Sequence, residues 1–533
     1  MGPAEGWEER SIAQALAHRA AATPDALFLI DDQKVVTFGQ VERQAEALAA
    51  SLHQLGIESG DRVALIMPSC PEFVVGMFAV AKLGAVIVPL NPHLTAPELQ
   101  YMLRHSEAVA AITAEDVDDL DFLQVFEELM VQLPELQYLV TVGEEDLWYD
   151  DRIFQFEDLI SAGKGKSYPK PSSELDRELS AILYTSGTTG KPKGVGLSDR
   201  NLLVPAARTA QGLRLVEGDR VVGLLALFHV FGLGPGILGS LLSGSALILG
   251  ETVEGGATLD LIERHGATVH YGVPTIFVRE LAAQDASPRD LSTLRCGLVA
   301  GAPVRDELVR AVEENLFPEL LIAYSLTETS STICMTQTSD TMGKRRFTVG
   351  RPIAGTQVKV VSPEGEVLPE ESIGEVAVKG PGVMSGYYRQ PKETASFFDE
   401  AEYLLTGDLG MVDEEGYLHL VGHSKGVIIR GSINVYPREV EDRLHAHPAV
   451  DAAVLVGIPD DDLGEAIFAC IVLIEGAIVT DQEIRDWCLV TLADYKIPDV
   501  VRFLDEFPQT GTGKIRRIEL SRMLKEERKS HRT

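Results

Sequence analysis

The feature that most restricts the fold of this chain is a unit that occurs twice. Residues 60–63 read Gly-Asp-Arg-Val, and the same four letters return at residues 218–221. In each copy the tetrapeptide opens an apolar strand, an apolar helix follows, and a glycine, Gly84 or Gly244, leads into a second strand. A β-α-β unit of this kind has parallel strands joined by a right-handed crossover. Two copies therefore predict two similar α/β subdomains that pack side by side.

Three further stretches complete the predicted architecture. Residues 37–40 read Thr-Phe-Gly-Gln, a capping-box pattern, and apolar residues then recur at helical spacing as far as Gly56. Beyond Gly355, short alternating strands at residues 358–361 and 374–379 predict a smaller β-rich subdomain. After residue 426, strands and helices follow one another in a mixed α+β pattern that is long enough for a separate small domain.

The composition excludes several kinds of partner. The chain has 533 residues, of which 45% are hydrophobic and 24% charged, as is typical of a globular protein. Its 80 acidic residues exceed the 47 basic ones and give a formal net charge of −33, which repels polyanions. We therefore expect neither nucleic acid nor an anionic membrane surface as the main partner.

Cysteine spacing and hydropathy bear on the compartment. The five cysteines are far apart and lack Cys-x-x-Cys spacing, which favours reduced thiols over a disulfide framework or a zinc site. The first residues contain no apolar run of signal-peptide length, so we expect a cytoplasmic protein. Residues 221–250 lack charged residues, but seven glycines and Pro235 interrupt them. We predict strands at 221–227 and 245–249 around a short buried helix at 232–242, and no membrane span.

A loop rich in hydroxyl groups is the main candidate for chemistry. Residues 185–194 read TSGTTGKPKG and follow an apolar strand at residues 179–183. Glycines let the backbone approach a ligand, hydroxyl and N–H groups donate hydrogen bonds, and Lys191 and Lys193 supply positive charge. The pattern is typical of a polyphosphate-binding loop. It is not a P-loop, because only two residues separate Gly187 from Gly190 and Pro192 occupies the position of Ser or Thr.

The segment YTSGTTGKPKGV at residues 184–195 resembles the phosphate-binding signature of the adenylate-forming ANL superfamily, in the acyl-CoA synthetase branch. Further matches follow in the order of that family: FHVFGL at 228–233, AGAP at 300–303, AYSLTET at 323–329, TGDL at 406–409, NVYPREVE at 434–441 and PQTGTGKIRR at 508–517. The resemblance covers nearly the whole chain. It implies an α/β protein with two similar α/β subdomains and a β-barrel-like subdomain at residues 1–422. A hinge at 423–426 and a mobile α+β lid at 427–533 complete the implied architecture.

The resemblance also implies a reaction. Members of the family join a carboxylate to MgATP, release pyrophosphate, and then pass the acyl group from acyl-AMP to a thiol such as that of CoA. In this resemblance the β and γ phosphates are held by a set of loop residues. They are Thr185, Ser186, Gly187, Thr188, Thr189 and Lys193. Thr327 contacts the α phosphate and Glu328 reaches Mg²⁺, a hard cation that prefers oxygen ligands.

The remaining nucleotide contacts are also implied by the resemblance. Asp408 accepts both ribose hydroxyls, and Tyr324 stacks on adenine. The other residues of the nucleotide site are Gly301, Ala302, Pro303, Ser325 and His423. His229 lies at the acyl site near the carboxylate, and the acyl pocket is completed by Val230, Phe231, Gly232, Gly301, Ser325 and Leu326. No acidic residue occurs between Arg220 and Glu251, which disfavours an amino acid substrate.

The C-terminal part carries the residues of the moving lid. Lys514 is implied to bridge the carboxylate and the α phosphate in the first half-reaction, where it offsets charge that builds up in the transition state. Lys425 occupies the hinge position, and Gly431 and Ser432 lie in the loop near the incoming thiol. The chain departs from the family at residues 422–426, because His423 replaces a customary arginine and Gly426 a customary acid. The spacing of His419 and His423 in a strand predicts no zinc site.

Several alternatives stay open at this stage. The acid is expected to be apolar, either fatty or aryl, and the acceptor is either CoA or the phosphopantetheine of a carrier protein. The altered hinge leaves room for an enzyme specialised for thioesterification alone. A more remote alternative is a nonenzymatic protein that binds an acyl nucleotide. The sequence does not decide the oligomeric state, and a homodimer is one of the options.

Overall fold

The computed structural model describes most of the chain. The described ranges are residues 9–32, 34–117, 120–143, 150–171, 179–185, 191–223, 226–250, 254–302, 304, 306–423, 428–431, 433–435, 437–508 and 517–530.

The first part of the chain, up to residue 171, alternates helices and strands. Its helices are α1 (Ile12–Ala22), α2 (Phe38–Gln54), α3 (Pro71–Leu83), α4 (Ala96–Ser106), α5 (Phe122–Gln132) and α6 (Phe156–Gly163). Its strands are β1 (Leu27–Ile30), β2 (Val35–Thr37), β3 (Arg62–Ile66), β4 (Val86–Pro89), β5 (Ala108–Ala114), β6 (Asp116–Val117), β7 (Leu120–Asp121), β8 (Tyr138–Val142) and β9 (Ile153–Gln155). Thr37 caps α2 and forms the predicted capping box with Gln40.

The second part repeats this alternation up to residue 352. Its helices are α7 (Asp199–Gly212), α8 (Gly239–Ser243), α9 (Gly255–His265), α10 (Pro274–Ala286), α11 (Asp306–Asn315) and α12 (Met342–Phe347). Its strands are β10 (Ala181–Thr185), β11 (Lys193–Leu197), β12 (Arg220–Gly223), β13 (Ala246–Ile248), β14 (Val269–Gly272), β15 (Cys296–Val299), β16 (Leu320–Leu326), β17 (Ser331–Met335) and β18 (Arg351–Pro352). A π-helix spans Gly232–Leu238, and a short 3₁₀ turn spans Thr327–Thr329.

The third part, from residue 357 to 423, is mostly strands. These are β19 (Gln357–Val361), β20 (Gly374–Lys379), β21 (Gly386–Tyr387), β22 (Leu404–Val412) and β23 (Leu418–His423), with the short helix α13 (Pro391–Ala395). Among the described residues β19, β20, β22 and β23 form an antiparallel four-stranded sheet in that order. The predicted strands at 358–361 and 374–379 are confirmed.

The C-terminal domain, residues 428–530, has its own sheet. Its strands are β24 (Ile428–Arg430), β25 (Ile433–Val435), β26 (Val450–Asp460), β27 (Gly464–Leu473) and β28 (Val500–Phe503). Its helices are α14 (Pro437–His445), α15 (Asp481–Leu489) and α16 (Arg517–Ser530), with a 3₁₀ turn at Asp494–Lys496. This is the mixed α+β pattern that the sequence predicts.

The two α/β sheets confirm the duplication. In the described part of the chain one sheet has the order β21-β11-β10-β4-β3-β5-β8-β9, and the other has the order β18-β17-β16-β15-β14-β12-β13-β1-β2. The first copy of the repeated unit supplies β3 and β4, which pair in parallel in the former sheet. The second copy supplies β12 and β13, which pair in parallel in the latter. The largest apolar cluster contains buried residues of both sheets, so they share one core.

The second copy differs from the prediction in two details. The predicted strand at 221–227 already ends at Gly223 among the described residues, and the predicted helix at 232–242 begins as a π-helix. Gly232 and Pro235 explain the irregular winding, because proline cannot donate the hydrogen bond of a regular helix. A Cβ atom on Gly232 would lie 2.3 Å from the carbonyl oxygen of Ala226, so only glycine fits this close approach. No helix among the described residues is long and apolar enough to span a bilayer.

Candidate active site

A cavity of about 120 Å³ lies between the body, residues 9–423, and the C-terminal domain. The body contributes Pro89, Leu90, Asn91, Leu94, Met102, Tyr184, Thr185, Pro192, Phe228, His229 and Thr327 to its lining. The C-terminal domain contributes Ile433, Tyr495 and Lys496. The structure therefore brings three predicted site residues, Thr185, His229 and Thr327, to one cavity.

The topology explains why these residues meet. Pro89 ends β4, Thr185 ends β10, and Thr327 directly follows β16. Strands β4 and β10 are parallel neighbours in one sheet, and β16 continues the parallel array of the other. The carboxyl ends of parallel strands are the usual place for a ligand in an open α/β sheet. The cavity thus lies at the functional edge of both sheets.

The described ends of the hydroxyl-rich loop lie on a hairpin. Thr185 pairs with Lys193 across the antiparallel strands β10 and β11, whereas Ser186, Gly187, Thr188 and Thr189 lie outside the described residues. Lys193 is only 3% exposed. Its Nζ forms an ion pair with Glu393 and lies 5.0 Å from the ring centre of Tyr387. The phosphate contact of Lys193 stays a prediction, and Glu393 is the group with which a phosphate would compete.

Glu328 occupies the 3₁₀ turn after β16, beside Lys193. The hydroxyl of Tyr387 donates a hydrogen bond of 2.9 Å to Glu328 Oε1. Burial raises the pKa of Glu328 above its ordinary value, although Tyr387 and Lys193 act in the opposite direction. Oxygen atoms of Glu328 and of the neighbouring Thr327 are ligands of the kind that Mg²⁺ accepts.

The predicted nucleotide residues Tyr324 and Asp408 are in contact. The hydroxyl of Tyr324 donates a hydrogen bond to Asp408 Oδ2, and both side chains are buried. Burial, together with the charge of Asp408, raises the pKa of Tyr324, so this hydroxyl stays a donor. His423 lies opposite Asp408 in the register of β22 and β23, although its side chain is outside the described set. Three of the positions that the resemblance assigns to the nucleotide, Tyr324, Asp408 and His423, are therefore neighbours in the fold.

His229 faces the cavity on the segment between β12 and the π-helix. Its side chain is open to the cavity, yet protein surrounds it, and this desolvation lowers its pKa to about 4. The backbone N–H of Phe231 donates a hydrogen bond of 3.2 Å to His229 Nδ1. The neutral ring consequently carries its proton on Nε2, which is free to donate towards an oxygen atom in the cavity.

Of the residues predicted for the acyl pocket, His229 lines this cavity and the others, all within the described ranges, do not. Val230, Phe231 and Gly232 are buried, and the ring of Phe231 stacks on Tyr271 with 5.8 Å between ring centres. Gly301 has φ = 84°, a left-handed value that favours glycine, whereas Ser325 and Leu326 are half-buried. Tyr271 was missed from the sequence because nothing in an apolar strand shows which aromatic ring lies beside Phe231.

Other predicted residues stand as follows. Ala302 and Gly431 are described, whereas Pro303, Lys425, Ser432 and Lys514 lie outside the described residues. Ile433, next to Ser432, lines the cavity. His419 Nε2 lies 3.0 Å from Asp413 Oδ2, and within the described ranges no group of three His, Cys, Asp or Glu side chains could hold a metal ion.

Sequence reasoning also missed an inter-domain cluster at the cavity. Lys496 Nζ donates to Glu98 Oε1 of the body at 2.7 Å and to Glu439 Oε1 of the C-terminal domain at 2.8 Å. All three side chains are buried. The partners lie far apart along the chain, so no local signal marks them.

Comparison with known proteins identifies the family and agrees with this fold. The sequence model of the AMP-binding enzyme family matches residues 16–388, and the model of the AMP-binding enzyme C-terminal domain matches residues 439–514. The chain belongs to the AMP-binding enzyme family, and the predicted membership in the adenylate-forming ANL superfamily is confirmed. It is an AMP-forming ligase of the acyl-CoA ligase type.

Individual relatives are similar over nearly their full length. The chain is 34% identical to a putative acyl-CoA synthetase, YngI, of Bacillus subtilis, with 96% of each chain covered. It is 33% identical to the mitochondrial medium-chain acyl-CoA ligase ACSF2 of Bos taurus, with 97% of this chain and 88% of the relative covered.

One solved relative matches in two forms. A double mutant of o-succinylbenzoate CoA synthetase (MenE) of B. subtilis, bound to the product analogue OSB-NCoA, has a TM-score of 0.82 at 28% identity, with 95% of this chain and 98% of that chain covered. The same synthetase in complex with the acyl-adenylate OSB-AMP has a TM-score of 0.67 at 29% identity, with 95% of this chain and 97% of that chain covered.

Proposed function

We propose that this enzyme activates an apolar carboxylic acid in two steps at the cavity between its domains. In the first step a carboxylate oxygen attacks the α phosphorus of ATP, and the bond from that phosphorus to pyrophosphate breaks. In the second step the sulfur of CoA attacks the acyl carbon, the thiol proton is released, and AMP leaves. The observation that carries the proposal is the meeting of Thr185, His229 and Thr327 of the body with Ile433, the first residue of β25 in the C-terminal domain.

The proposed nucleotide site uses residues from several strands of the body and from the C-terminal domain. Thr185, Lys193 and the loop between them hold the β and γ phosphates, and Thr327 binds the α phosphate. Tyr324 positions Asp408 for the ribose through their hydrogen bond. Lys514 offsets charge at the attacked phosphate in the first step.

We propose Glu328 as the protein ligand of a magnesium ion that arrives with ATP. Mg²⁺ usually keeps several waters and takes one or two carboxylates together with substrate phosphates. The donor set fits this use, because Glu328 offers carboxylate oxygen atoms and Thr327, adjacent in the chain, offers a hydroxyl. When bound, the ion neutralises charge on the phosphates. Glu328 must lose its proton for this role, which its raised pKa makes dependent on pH.

His229 has a proposed role at the acyl group. Its neutral ring donates from Nε2 to an oxygen of the carboxylate or of the acyl-adenylate, since Nδ1 is occupied by the N–H of Phe231. Its low pKa keeps the ring neutral at neutral pH. A neutral donor orients the carboxylate without quenching its nucleophilicity by full protonation.

The division into a body, a hinge at residues 423–426 around Lys425 and a lid at 427–533 also stays a proposal. It is supported by the sheet boundary, because β23 ends at His423 and β24 of the next sheet begins at Ile428. The higher TM-score against the OSB-NCoA form of MenE than against its OSB-AMP form supports a lid orientation suited to the thiol step.

The acid is proposed to be a fatty acid, with medium-length chains favoured by the name of the ACSF2 relatives. The deciding experiment is a pyrophosphate-release screen over straight-chain and aryl acids, with CoA, with a carrier protein, or with neither. We expect turnover with apolar acids that depends on CoA. Turnover only with a carrier protein, or release of no pyrophosphate with any acid, would contradict the proposal. A cytoplasmic location stays a prediction of the sequence, which does not decide the oligomeric state.

A further inference from the structure

Lys496 is a buried cation that the proposed chemistry does not use. It lies in the 3₁₀ turn at Asp494–Lys496, is 2% exposed and lines the cavity. A lysine is almost never buried in this way unless it is paired. Its Nζ is bound by Glu98 and Glu439, which come from the two sides of the domain boundary.

Each carboxylate is held differently. Glu98 is the third residue of α4, and its Oε2 accepts hydrogen bonds from the backbone N–H and the hydroxyl of Thr95, at 2.9 Å each. Glu439 is in the first turn of α14, and its Oε2 is buried without a hydrogen-bond partner within the described part of the chain. Glu98 is therefore fixed on the body, whereas Glu439 depends on Lys496 for its stabilisation.

The charges are consistent with a strong contact. Burial alone would lower the pKa of Lys496, but Tyr495, Glu439 and Glu98 together raise it, so the amine stays charged. Burial raises the pKa of Glu439 in spite of Lys496. If Lys496 were absent, two buried carboxylates would face each other with no cation between them, which is strongly unfavourable.

Two further hydrogen bonds lie close to this cluster. The hydroxyl of Thr95 also lies 3.3 Å from the backbone oxygen of Thr491, just before the 3₁₀ turn. Arg430 of β24 donates to the backbone oxygen of Tyr495 at 2.8 Å. Arg430 is paired with Ile433 across the antiparallel strands β24 and β25, so Lys496 is connected to the segment that faces the cavity.

We infer that Lys496, with Glu98 and Glu439, is a clamp that holds the C-terminal domain in the orientation in which Ile433 faces the cavity. Lys496 is thus a positioning residue for transfer of the acyl group to the thiol. The clamp has to open for any orientation that brings a different face of the lid to the cavity. This inference rests on the proposed two-step reaction for its functional consequence, but its structural part does not.

The test separates the two half-reactions. Lys496→Met and Glu98→Gln should each slow acyl transfer from supplied acyl-adenylate to CoA by about 10-fold to 100-fold. Lys496→Met leaves two buried carboxylates without their cation, and Glu98→Gln removes the charged partner of Lys496 on the body. Exchange of pyrophosphate into ATP should stay within about 2-fold, because the clamp is open in that step. The double variant should be no worse than the worse single variant, as for residues that act through one contact.

Lys82 provides a matched control. It is 4% exposed and binds two carboxylates, Glu42 at 2.8 Å and Glu46 at 3.0 Å, but all three lie within the body on α2 and α3. Lys82→Met should lower thermal stability without changing the ratio of the two half-reactions. Equal losses in both half-reactions for the Lys496 variant, additive effects in the double variant, or no effect on acyl transfer would overturn the inference.

Chemical cross-linking between the two domains tests the clamp without any turnover. Arg279 of the body and Asp462 of the C-terminal domain form an exposed ion pair with 3.1 Å between Nε and Oδ1. In the background of Arg279→Cys and Asp462→Cys, a short bis-maleimide should link the two thiols. Adding Lys496→Met should lower the rate of linking at least about 5-fold, and adding Lys82→Met should not. An unchanged rate would overturn the clamp. Double-cysteine protein with Lys496 intact that links normally, from an enzyme that makes no acyl-CoA, would contradict only the proposed function.

Discussion

At the scale of single residues, the site depends on carboxylates whose environment the sequence does not reveal. The motif AYSLTET draws attention to Glu328, but its partner Tyr387 comes from β21, far along the chain. Asp408 lies on β22 of the antiparallel sheet, and its partner Tyr324 lies on β16 of a different sheet. The residues of the motifs were predictable from their letters. Their partners were not, because hydrogen bonds between distant segments leave no local pattern.

The raised pKa of Glu328 predicts how the affinity for MgATP depends on pH. Deprotonation of this carboxyl is needed for binding, so affinity should rise with pH up to the pKa of Glu328 and then level off. Tyr387→Phe removes a donor to the carboxylate, raises that pKa further, and should move the rise to higher pH. Titration calorimetry with MgATP between about pH 5 and pH 8 would measure this shift.

Tyr403→Phe is the control for that experiment. It removes an exposed hydrogen bond of 2.6 Å to Gln357 and should leave the pH profile unchanged. If the affinity of the Glu328→Gln variant for MgATP still rises with pH as in the wild type, another group controls binding.

At the scale of elements, the local signals were sufficient for helix α2 and for the strands at 358–361 and 374–379. The capping box at Thr37 marks the beginning of α2 as predicted, and a second one at Thr480 begins α15, because a cap is formed by residues within one turn. The π-helix at Gly232–Leu238 was not predicted. Its winding results from glycines packed against neighbouring backbone, a tertiary contact that periodicity does not show.

Strand β14 and helix α10 are joined by a buried pair that predicts a large effect on stability. His270 Nε2 lies 2.8 Å from Glu280 Oε1, and both side chains are buried. Burial alone would lower the pKa of His270, but Glu280 raises it overall. Glu280→Gln should lower the free energy of unfolding by about 3–5 kcal/mol, as when one partner of a buried pair is lost.

The sign of the pH dependence follows from the raised pKa of His270. The contribution of the pair is fully present below the unfolded pKa of about 6.5 and is lost as pH rises through the higher folded pKa. The difference in melting temperature between wild type and Glu280→Gln should therefore shrink as pH rises. Glu319→Gln, which breaks an exposed ion pair with Arg214, should lower the free energy of unfolding by less than about 1 kcal/mol throughout this pH range.

At the scale of the whole molecule, the order of motifs predicted the body and the C-terminal domain. The clamp at Lys496 was not predictable, because Glu98 precedes it by 398 positions and neither residue belongs to a recognised motif. How two domains meet depends on surfaces that fold separately. Sequence patterns describe each surface but not their contact.

Lys514 and Lys496 should affect opposite halves of the reaction. Lys514→Ala should slow adenylation by roughly 10²-fold to 10³-fold, by analogy with the loss of one preorganised donor, and largely spare acyl transfer from supplied acyl-adenylate. Pyrophosphate exchange and thioester formation, measured on the same preparation, test this prediction. Equal losses in both would count against a role of Lys514 in the first step.

The substitution at the end of β23 is a test of the departure from the family. Residue 423 pairs with Asp408 in the register of strands β22 and β23. An arginine at position 423 would therefore lie beside the proposed ribose site. His423→Arg should strengthen nucleotide binding by roughly 10-fold to 150-fold, the equivalent of one charge-assisted hydrogen bond. If exchange of pyrophosphate into ATP does not change, the missing arginine limits nothing in this enzyme.

The π-helix at Gly232–Leu238 has a consequence for variation among relatives. A π-helix is wider than an α-helix because it accommodates one more residue in the same length. A relative that lacks one residue between positions 232 and 238 can wind this turn as an ordinary α-helix. A one-residue deletion is thus a route by which evolution could reshape the space beside Phe231 while leaving His229 in place.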